Sequence, residues 1–331
     1  MGPDFAQLCS FEHLRQACRR ARKGARNHPD TAAFLFEQEQ SLLTLQKELT
    51  AGSYRPQVLR SFQISDPKPR IIQAAPFRDR VVHHALCAVL APLLERSAID
   101  HSFACRIGKG QQRALLQAQK QARKYAFCLK IDILHFFEHL HHPTLMSMLH
   151  TRCADRDVLE LCQIFLRNGQ AAEGRGVPIG NLTSQLFANF YLDKLDHFVV
   201  HHTPIQGLNR YMDDILLFAQ DKDVLWNSLQ ELEAFLGSSL QLHLKSSATR
   251  LMPSSMGIPY LGFRVYPSGL YFQASRAKRF RQKVKSLNHQ PLPVQQRSFP
   301  ALMAWAQTAG AKTLTLRRRV LINNRVGRTY L

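Results

Sequence analysis

Between Leu208 and Ala219 the chain reads LNRYMDDILLFA. Two β-like runs, 208–212 and 215–219, close on a pair of carboxylates, Asp213 and Asp214, and no other feature limits the chain's possibilities so much. Two-residue hairpin turns prefer Asn-Gly or Gly-X, because the primed turns need positive φ. Asp-Asp is a poor turn by that standard. It also sets two like charges at the end of two apolar strands, which is unfavourable without a cation nearby. A divalent metal removes the objection. The competing reading is an ordinary acidic surface turn, and Tyr211-Met212 before the pair and the apolar strand after it weigh against that.

A further carboxylate, Asp132, stands near the end of AFCLKIDI (126–133), which reads as a buried strand. A lone Asp there usually caps the next helix. If its strand lies beside the hairpin, three carboxylates converge, and that is a ligand set for two Mg²⁺ ions ~4 Å apart. His135, Glu138 and His139 also spell H-x-x-E-H, the pattern of inverted zinc proteases. Pro143 follows closely and the segment shows no clean helical face, so the zinc reading is the weaker one. The pairs His83-His84, His141-His142 and His201-His202 read as helix-surface or nucleic-acid contacts rather than ligands.

Charge gives an independent constraint. Lys plus Arg is 44, Asp plus Glu is 24, and the net is +20. From Ser275 to Leu331 there are thirteen Lys or Arg residues and no Asp or Glu. So one-sided a segment repels itself unless a polyanion neutralises it. It also holds Phe280, Leu287, Phe299, Leu302, Trp305, Leu314 and Leu316, so it reads as a folded basic region that binds nucleic acid. The seven cysteines are scattered without C-x-x-C, which suits free thiols in a reducing cytoplasm. No run of ~18 apolar residues occurs, so no membrane-spanning helix is expected. The N-terminal stretch has no apolar core fit for a signal peptide, and Ala6 removes the myristoylation pattern begun by Met1-Gly2.

Elsewhere the periodicity predicts a helix over 31–50, capped by Asp30 or Thr31 and ended by Gly52. A hairpin is expected from SFQIS and RIIQA around Pro-Lys-Pro, with Lys68 and Arg70 near its tip. Further helices are expected over 79–95, 111–125, 143–150, 155–167, 183–200 and 224–240. A glycine-rich loop is expected over 174–180, and a hairpin from 260–266 and 270–273. Interleaved helices with antiparallel hairpins predict an α+β fold.

YMDD at 211–214, LKIDILHFF at 129–137 and GVPIGNLTSQLFAN at 176–189 resemble the palm motifs of reverse transcriptases, in the family's order. DPKPRIIQAAPFRDRVVHHAL at 66–86 and FACRIGKGQQRAL at 103–115 resemble the finger motifs of the bacterial members, and YLGFRVYPSGL at 260–270 resembles the primer-grip hairpin. The resemblance implies a right-hand polymerase: a helical extension over 1–50, fingers and palm over 51–274, and a short basic helical thumb over 275–331. Most retroviral and group II intron enzymes carry Q-G-x-x-x-S-P after the glycine-rich stretch. Ile179 to Gln185 instead reads I-G-N-L-T-S-Q, which looks like the enzymes of diversity-generating retroelements. Those copy a template repeat with errors at adenines.

The resemblance also implies residue roles. Asp132, Asp213 and Asp214 would be catalytic and, with Ile133, would hold two Mg²⁺. One metal would activate the primer 3′-hydroxyl, and the other would hold the triphosphate. Lys68 and Arg70 would clamp the triphosphate of a dNTP. Phe137 would collide with a 2′-hydroxyl, Gly180 would let the backbone approach the nucleotide, and Gln185 would join that nucleotide-binding set. Ile179 and Gln185 would set fidelity beneath the templating base. Arg106, Lys109, Arg317, Arg318 and Arg319 would contact nucleic acid. One position departs from the pattern: the family's Lys-Thr pair is Ala248-Thr249 here, leaving Lys245, Arg250 or water to serve the leaving pyrophosphate. The expected partners are an RNA template, the RNA–cDNA duplex and a small basic accessory protein, in the cytoplasm. Two rival readings are a phage-defence reverse transcriptase using a dedicated noncoding RNA and a nucleic-acid-binding protein that has lost catalysis.

Overall fold

The structure is a computed structural model that describes residues 4–23, 28–65, 69–169 and 171–288. The chain begins with four helices, α1 (Phe5–Cys9), α2 (Phe11–Ala21), α3 (Pro29–Phe36) and α4 (Gln38–Thr50), then a hairpin of β1 (Arg60–Ile64) and β2 (Arg70–Ala74), then α5 (Phe77–Leu94). There follow α6 (Gln111–Lys124), β3 (Phe127–Asp132), α7 (Phe136–His139), α8 (His142–His150), α9 (Arg156–Asn168) and α10 (Leu182–His202). Next come β4 (Gly207–Tyr211), β5 (Asp214–Ala219), α11 (Lys222–Leu240), β6 (Arg250–Pro253), β7 (Ile258–Tyr260), β8 (Phe263–Tyr266), β9 (Gly269–Phe272) and α12 (Ala274–Asn288). Every named strand pairs antiparallel, in sheets of order β1-β2, β4-β5-β3-β6 and β7-β8-β9, which is the expected α+β architecture. No helix among the described residues is long and apolar enough to cross a membrane.

These elements form two compact units, each assembled from three stretches of chain. Unit 1 comprises 1–100, 133–198 and 232–244, and unit 2 comprises 101–132, 199–231 and 245–331. In unit 1, α2 is capped by Ser10, whose hydroxyl accepts from His13 N–H at 3.3 Å, and carries Leu14, Ala17, Cys18 and Ala21 on one buried stripe. That stripe packs on α5, which buries Val81, Val82, Ala85, Leu86, Leu90 and Leu94.

The helix expected over 31–50 is in fact two. Glu37, at φ −110° and ψ 40°, breaks it into α3 and α4. Phe34 of α3 packs its ring on Phe77 at 5.2 Å, while α4 buries Leu42, Leu45 and Leu49. The start is His28 followed by Pro29 at the first helical position, without a side-chain cap. At the far end Gly52 N–H reaches Leu49 O and Ser53 N–H reaches Glu48 O, the Schellman closure.

Two of the paired histidines belong to the interior, contrary to the surface reading. His83 is 4% exposed, stacks on Phe165 with ring centroids 4.0 Å apart, and shares a 2.9 Å hydrogen bond with Thr183 Oγ1. His142 is buried, its Nε2 2.6 Å from Gly176 O. Burial holds His83 down to about 3, with the neighbouring His84 and Arg80 adding to the effect.

In unit 2, β3 is an inner strand of the four-stranded sheet, between β5 and β6. Alternation puts Cys128, Lys130 and Asp132 on one face. Cys128, Leu216 and Phe218 join a core with Ala114, Leu115 and Ala118 of α6 and with Ile258, Tyr260, Phe263, Val265 and Leu270 of the three-stranded sheet. The segment 260–266 is not one strand. Leu261 and Gly262 turn between β7 and β8 with φ 47° and 79°, the doubly left-handed geometry of a tight hairpin turn. A Cβ on Gly262 would collide with the Arg276 guanidinium.

A folded-state pKa near 3 against 6.5 unfolded means the unfolded chain binds the extra proton, so the His83 contribution is complete above pH ~6.5 and is lost as pH falls toward 3. The slope for one such group approaches ~1.4 kcal/mol per pH unit. His83→Asn should flatten the wild-type stability curve over that window in urea titrations. Parallel curves would contradict the assignment.

Candidate active site

The three carboxylates singled out in the sequence all lie in unit 2. β3 pairs with β5 so that Asp132 lies directly opposite Asp214. β4 pairs with β5 so that Tyr211 lies opposite Asp214, which leaves Met212 and Asp213 as the two turn residues. The turn therefore sits one residue earlier than expected, and Asp214 opens a strand. Met212 has φ 55° and is 9% exposed: a packed side chain holds a left-handed backbone where glycine is favoured. Asp132 is not used as a helix cap, since the residue capping α7 is His135, in left-handed conformation and without a side-chain cap bond. His135 is thus outside the helix that an H-x-x-E-H zinc site needs, and it pairs with Glu138 at 3.2 Å.

Asp214 is closely held. Lys130 Nζ lies 2.8 Å from its Oδ1 and also donates to Pro259 O at 3.0 Å, over the Tyr260 ring at 5.8 Å. The Leu261 backbone N–H donates to the same carboxylate. Burial raises the Asp214 pKa; Lys130 opposes that rise, the Asp132 charge adds to it, and the Leu261 bond opposes it. Tyr260 Oη donates to Asn209 Oδ1 at 2.8 Å, and Asn209 Nδ2 donates to Ala114 O at 2.9 Å, so β4, β7 and α6 are tied together behind the hairpin. Lys130 escaped the sequence reading. Its signal was a single charge inside an apolar strand, two residues before Asp132 and on the same face.

Opposed carboxylates of this kind fit a divalent cation by donor chemistry: hard oxygens suit Mg²⁺, and like charges opposite each other in a ladder are relieved by it. Among the described residues no group of three or more His, Cys, Asp or Glu side chains is arranged to hold a metal ion. Mg²⁺ does not need one, because it keeps several waters and substrate phosphates beside one or two carboxylates.

The other expected residues are distributed as follows. Arg106 and Lys109 are in unit 2, after the extended Ser102-Phe103 step that bridges Arg210 of β4. Arg106 donates to Ser102 O at 3.0 Å, and Lys109 lies over the Phe103 ring at 5.4 Å. Lys245 donates its backbone N–H to Asp132 O at 2.8 Å, and Arg250 stands opposite Lys130 in the β3–β6 ladder. In unit 1, buried Ile133 bridges Leu244. Phe136 is the buried ring, and half-buried Phe137 packs against it at 5.3 Å. Arg70 is exposed and opens β2 opposite Ile64. Ile179 and Gln185 are half-buried, and Gln185 N–H makes the 3.4 Å bond to Asn181 O that begins α10. Gly180, with φ 124°, approaches β2: a Cβ there would stand 2.7 Å from Ile72 Cγ2. Lys68, Arg317, Arg318 and Arg319 lie outside the described residues, as does the basic region from 289 onward.

If the Lys130–Asp214 pair holds the carboxylate in place, Lys130→Met should cost about 3 kcal/mol by stranding a buried charge. Adding Asp214→Asn should return at least about 1 kcal/mol of that in a double-mutant cycle read by urea denaturation. Simple additivity would show that the two side chains do not depend on each other.

The sequence profile described as Reverse transcriptase (RNA-dependent DNA polymerase) matches residues 65–265. The group II intron-encoded protein LtrA of Lactococcus lactis subsp. cremoris is 26% identical over 171 residues, which span 49% of this chain and 28% of that protein. Protein YkfC of Escherichia coli K12 is 22% identical over 269 residues, 68% of this chain and 71% of the relative. The apo telomerase of Candida tropicalis shares the fold, with a TM-score of 0.51 at 12% identity over 67% of this chain and 49% of that one. The chain belongs to the reverse transcriptase (RNA-dependent DNA polymerase) family.

Proposed function

We propose that the protein polymerises DNA on an RNA template, with Asp132, Asp213 and Asp214 holding two Mg²⁺ ions. The observation that carries this reading is Asp132 opposite Asp214 with Asp213 in the adjoining turn. When bound, such ions supply the charge that activates a 3′-hydroxyl and stabilises the leaving pyrophosphate. The chain's own part is to fix the carboxylates. Lys130 and Leu261 hold Asp214, the buried Met212 holds the turn that presents Asp213, and the β3 register sets Asp132. Arg70 and Lys68 take the triphosphate, half-buried Phe137 bars the 2′-hydroxyl, and Gly180 and Gln185 belong to the nucleotide loop. Arg106, Lys109 and the cations of 275–331 bind the template and the RNA–cDNA duplex, with a small basic accessory protein assisting in the cytoplasm.

The finer reading is an error-prone enzyme of a diversity-generating retroelement. The loop Ile179 to Gln185 favours it, since it replaces the wider family's Gln with an apolar side chain and its Pro with Gln. A less polar contact beneath the template base lowers discrimination, and each ~1.4 kcal/mol lost is a factor of ten in error rate.

One experiment tests both levels: extension of a primed RNA of defined sequence, followed by sequencing of the cDNA. Asp213→Asn should reduce Mg²⁺-dependent dNTP incorporation by a factor on the order of 10³ while RNA binding persists. Wild-type-like extension by that variant would overturn the polymerase assignment and leave a binding protein. Frequent misincorporation opposite adenine, reduced by Ile179→Gln, would support the retroelement reading. Uniformly low error at all four bases would remove it in favour of a defence enzyme.

A further inference from the structure

The hairpin of β1 and β2 is a two-stranded sheet whose first strand is exposed along its length. Such a pair is marginal in water unless something packs on it. In unit 1 its outer edge is occupied. Gln73 N–H donates to Ile179 O at 2.9 Å, and Ala75 N–H donates to Asn181 Oδ1 at 3.0 Å. Residues two apart on a strand share an edge, so the Ile179 carbonyl and the Asn181 side chain take places that a third strand would fill. Gly180 stands between them, close enough to Ile72 that a Cβ would collide with it. Asn181 is 4% exposed, and its Nδ2 has no hydrogen-bond partner among the described residues. Burying an amide for the sake of its oxygen alone is unfavourable unless that oxygen is needed.

We propose that Asn181 is a positioning residue that locks the segment 179–185, a loop running into the first turn of α10, to the β1–β2 hairpin, so that the two move as one body when a nucleotide binds. The proposal rests on the polymerase reading. Arg70, which takes the triphosphate, lies three residues before Gln73 on β2. Ile179 and Gln185, which on that reading lie beneath the templating base, flank Asn181, the first on the loop and the second in the first turn of α10. A displacement of the hairpin by phosphate therefore reaches the base-testing loop through the Gln73 and Ala75 bonds, and nucleotide capture is linked to pair selection.

Hydrogen exchange on the full chain reads the lock without any need for activity. In Asn181→Ala, Ala75 loses its acceptor directly. Gln73 bonds to Ile179, which the substitution does not touch, so a lock requires Gln73 protection to fall as well. Both amides should exchange about ten-fold faster, and in steady-state extension KM for dNTP should rise about ten-fold with kcat within about three-fold. Asn181→Asp retains the acceptor and should keep both amides protected. Loss of protection at Ala75 alone, a fall in kcat at unchanged KM, or equal damage from Asp and Ala would overturn the proposal. If the wild-type protein extends no primer, the polymerase reading fails, and the exchange data still decide whether the lock exists.

Discussion

A slip of one residue between β3 and β5 would turn Lys130 and Asp132 to the opposite face of the sheet and part them from Asp214, because side chains alternate with a period of two. The register is pinned along its length. Leu129, Ile131, Ile215 and Leu217 are buried on one face, and Cys128, Leu216 and Phe218 pack against α6 and the three-stranded sheet on the other. Apolar burial thus sets two carboxylates opposite each other, an arrangement their own electrostatics resist. The rest of the site serves to hold them there.

That cost is met in part by the protein itself. Lys130 balances Asp214 and ties it to the Pro259 carbonyl, and Leu261 supplies a backbone N–H. Two of the non-glycine residues with left-handed backbone, Met212 and Leu261, belong to the turns at this cluster. Each is held by its surroundings: Met212 by burial, and Leu261 by the hydrogen bonds that its carbonyl accepts from Gln111 and Arg276. Strain retained at a charged cluster by packing elsewhere is the pattern of a site built for a ligand rather than for stability.

Much of this was legible in the sequence where a residue contradicts its surroundings. Asp-Asp between two apolar strands and Asp132 in an apolar strand both stand out because folding alone would not select them. The hairpin at 60–74 and the long helices were readable from period and breakers. What could not be read was mostly tertiary. Nothing local marks Glu37 as a break, since its neighbours are good helix formers. Leu261 gives no sign of positive φ, so 260–266 reads as one strand until Arg276 and Gln111 are seen to hold the turn. His83 looked like a surface residue because nothing near it in sequence announces Phe165 stacked on its ring or Thr183 bonded to its Nδ1. Lys130 and Asn181 act through partners distant in sequence, Pro259 with Asp214 and Ala75, which no spacing rule could supply. The domain division expected along the chain is a proposal still, since the observed units interleave three stretches each.

Metal binding by the opposed carboxylates is the central claim, and it can be read directly at the protein backbone. Replacing Mg²⁺ with Fe²⁺ and generating hydroxyl radicals cuts the chain next to the bound ion. Cleavage should map to 131–133 and 212–215, be competed away by Mg²⁺, and weaken in Asp132→Asn. Cleavage confined to other segments, or cuts at these positions that Mg²⁺ does not suppress, would contradict the account.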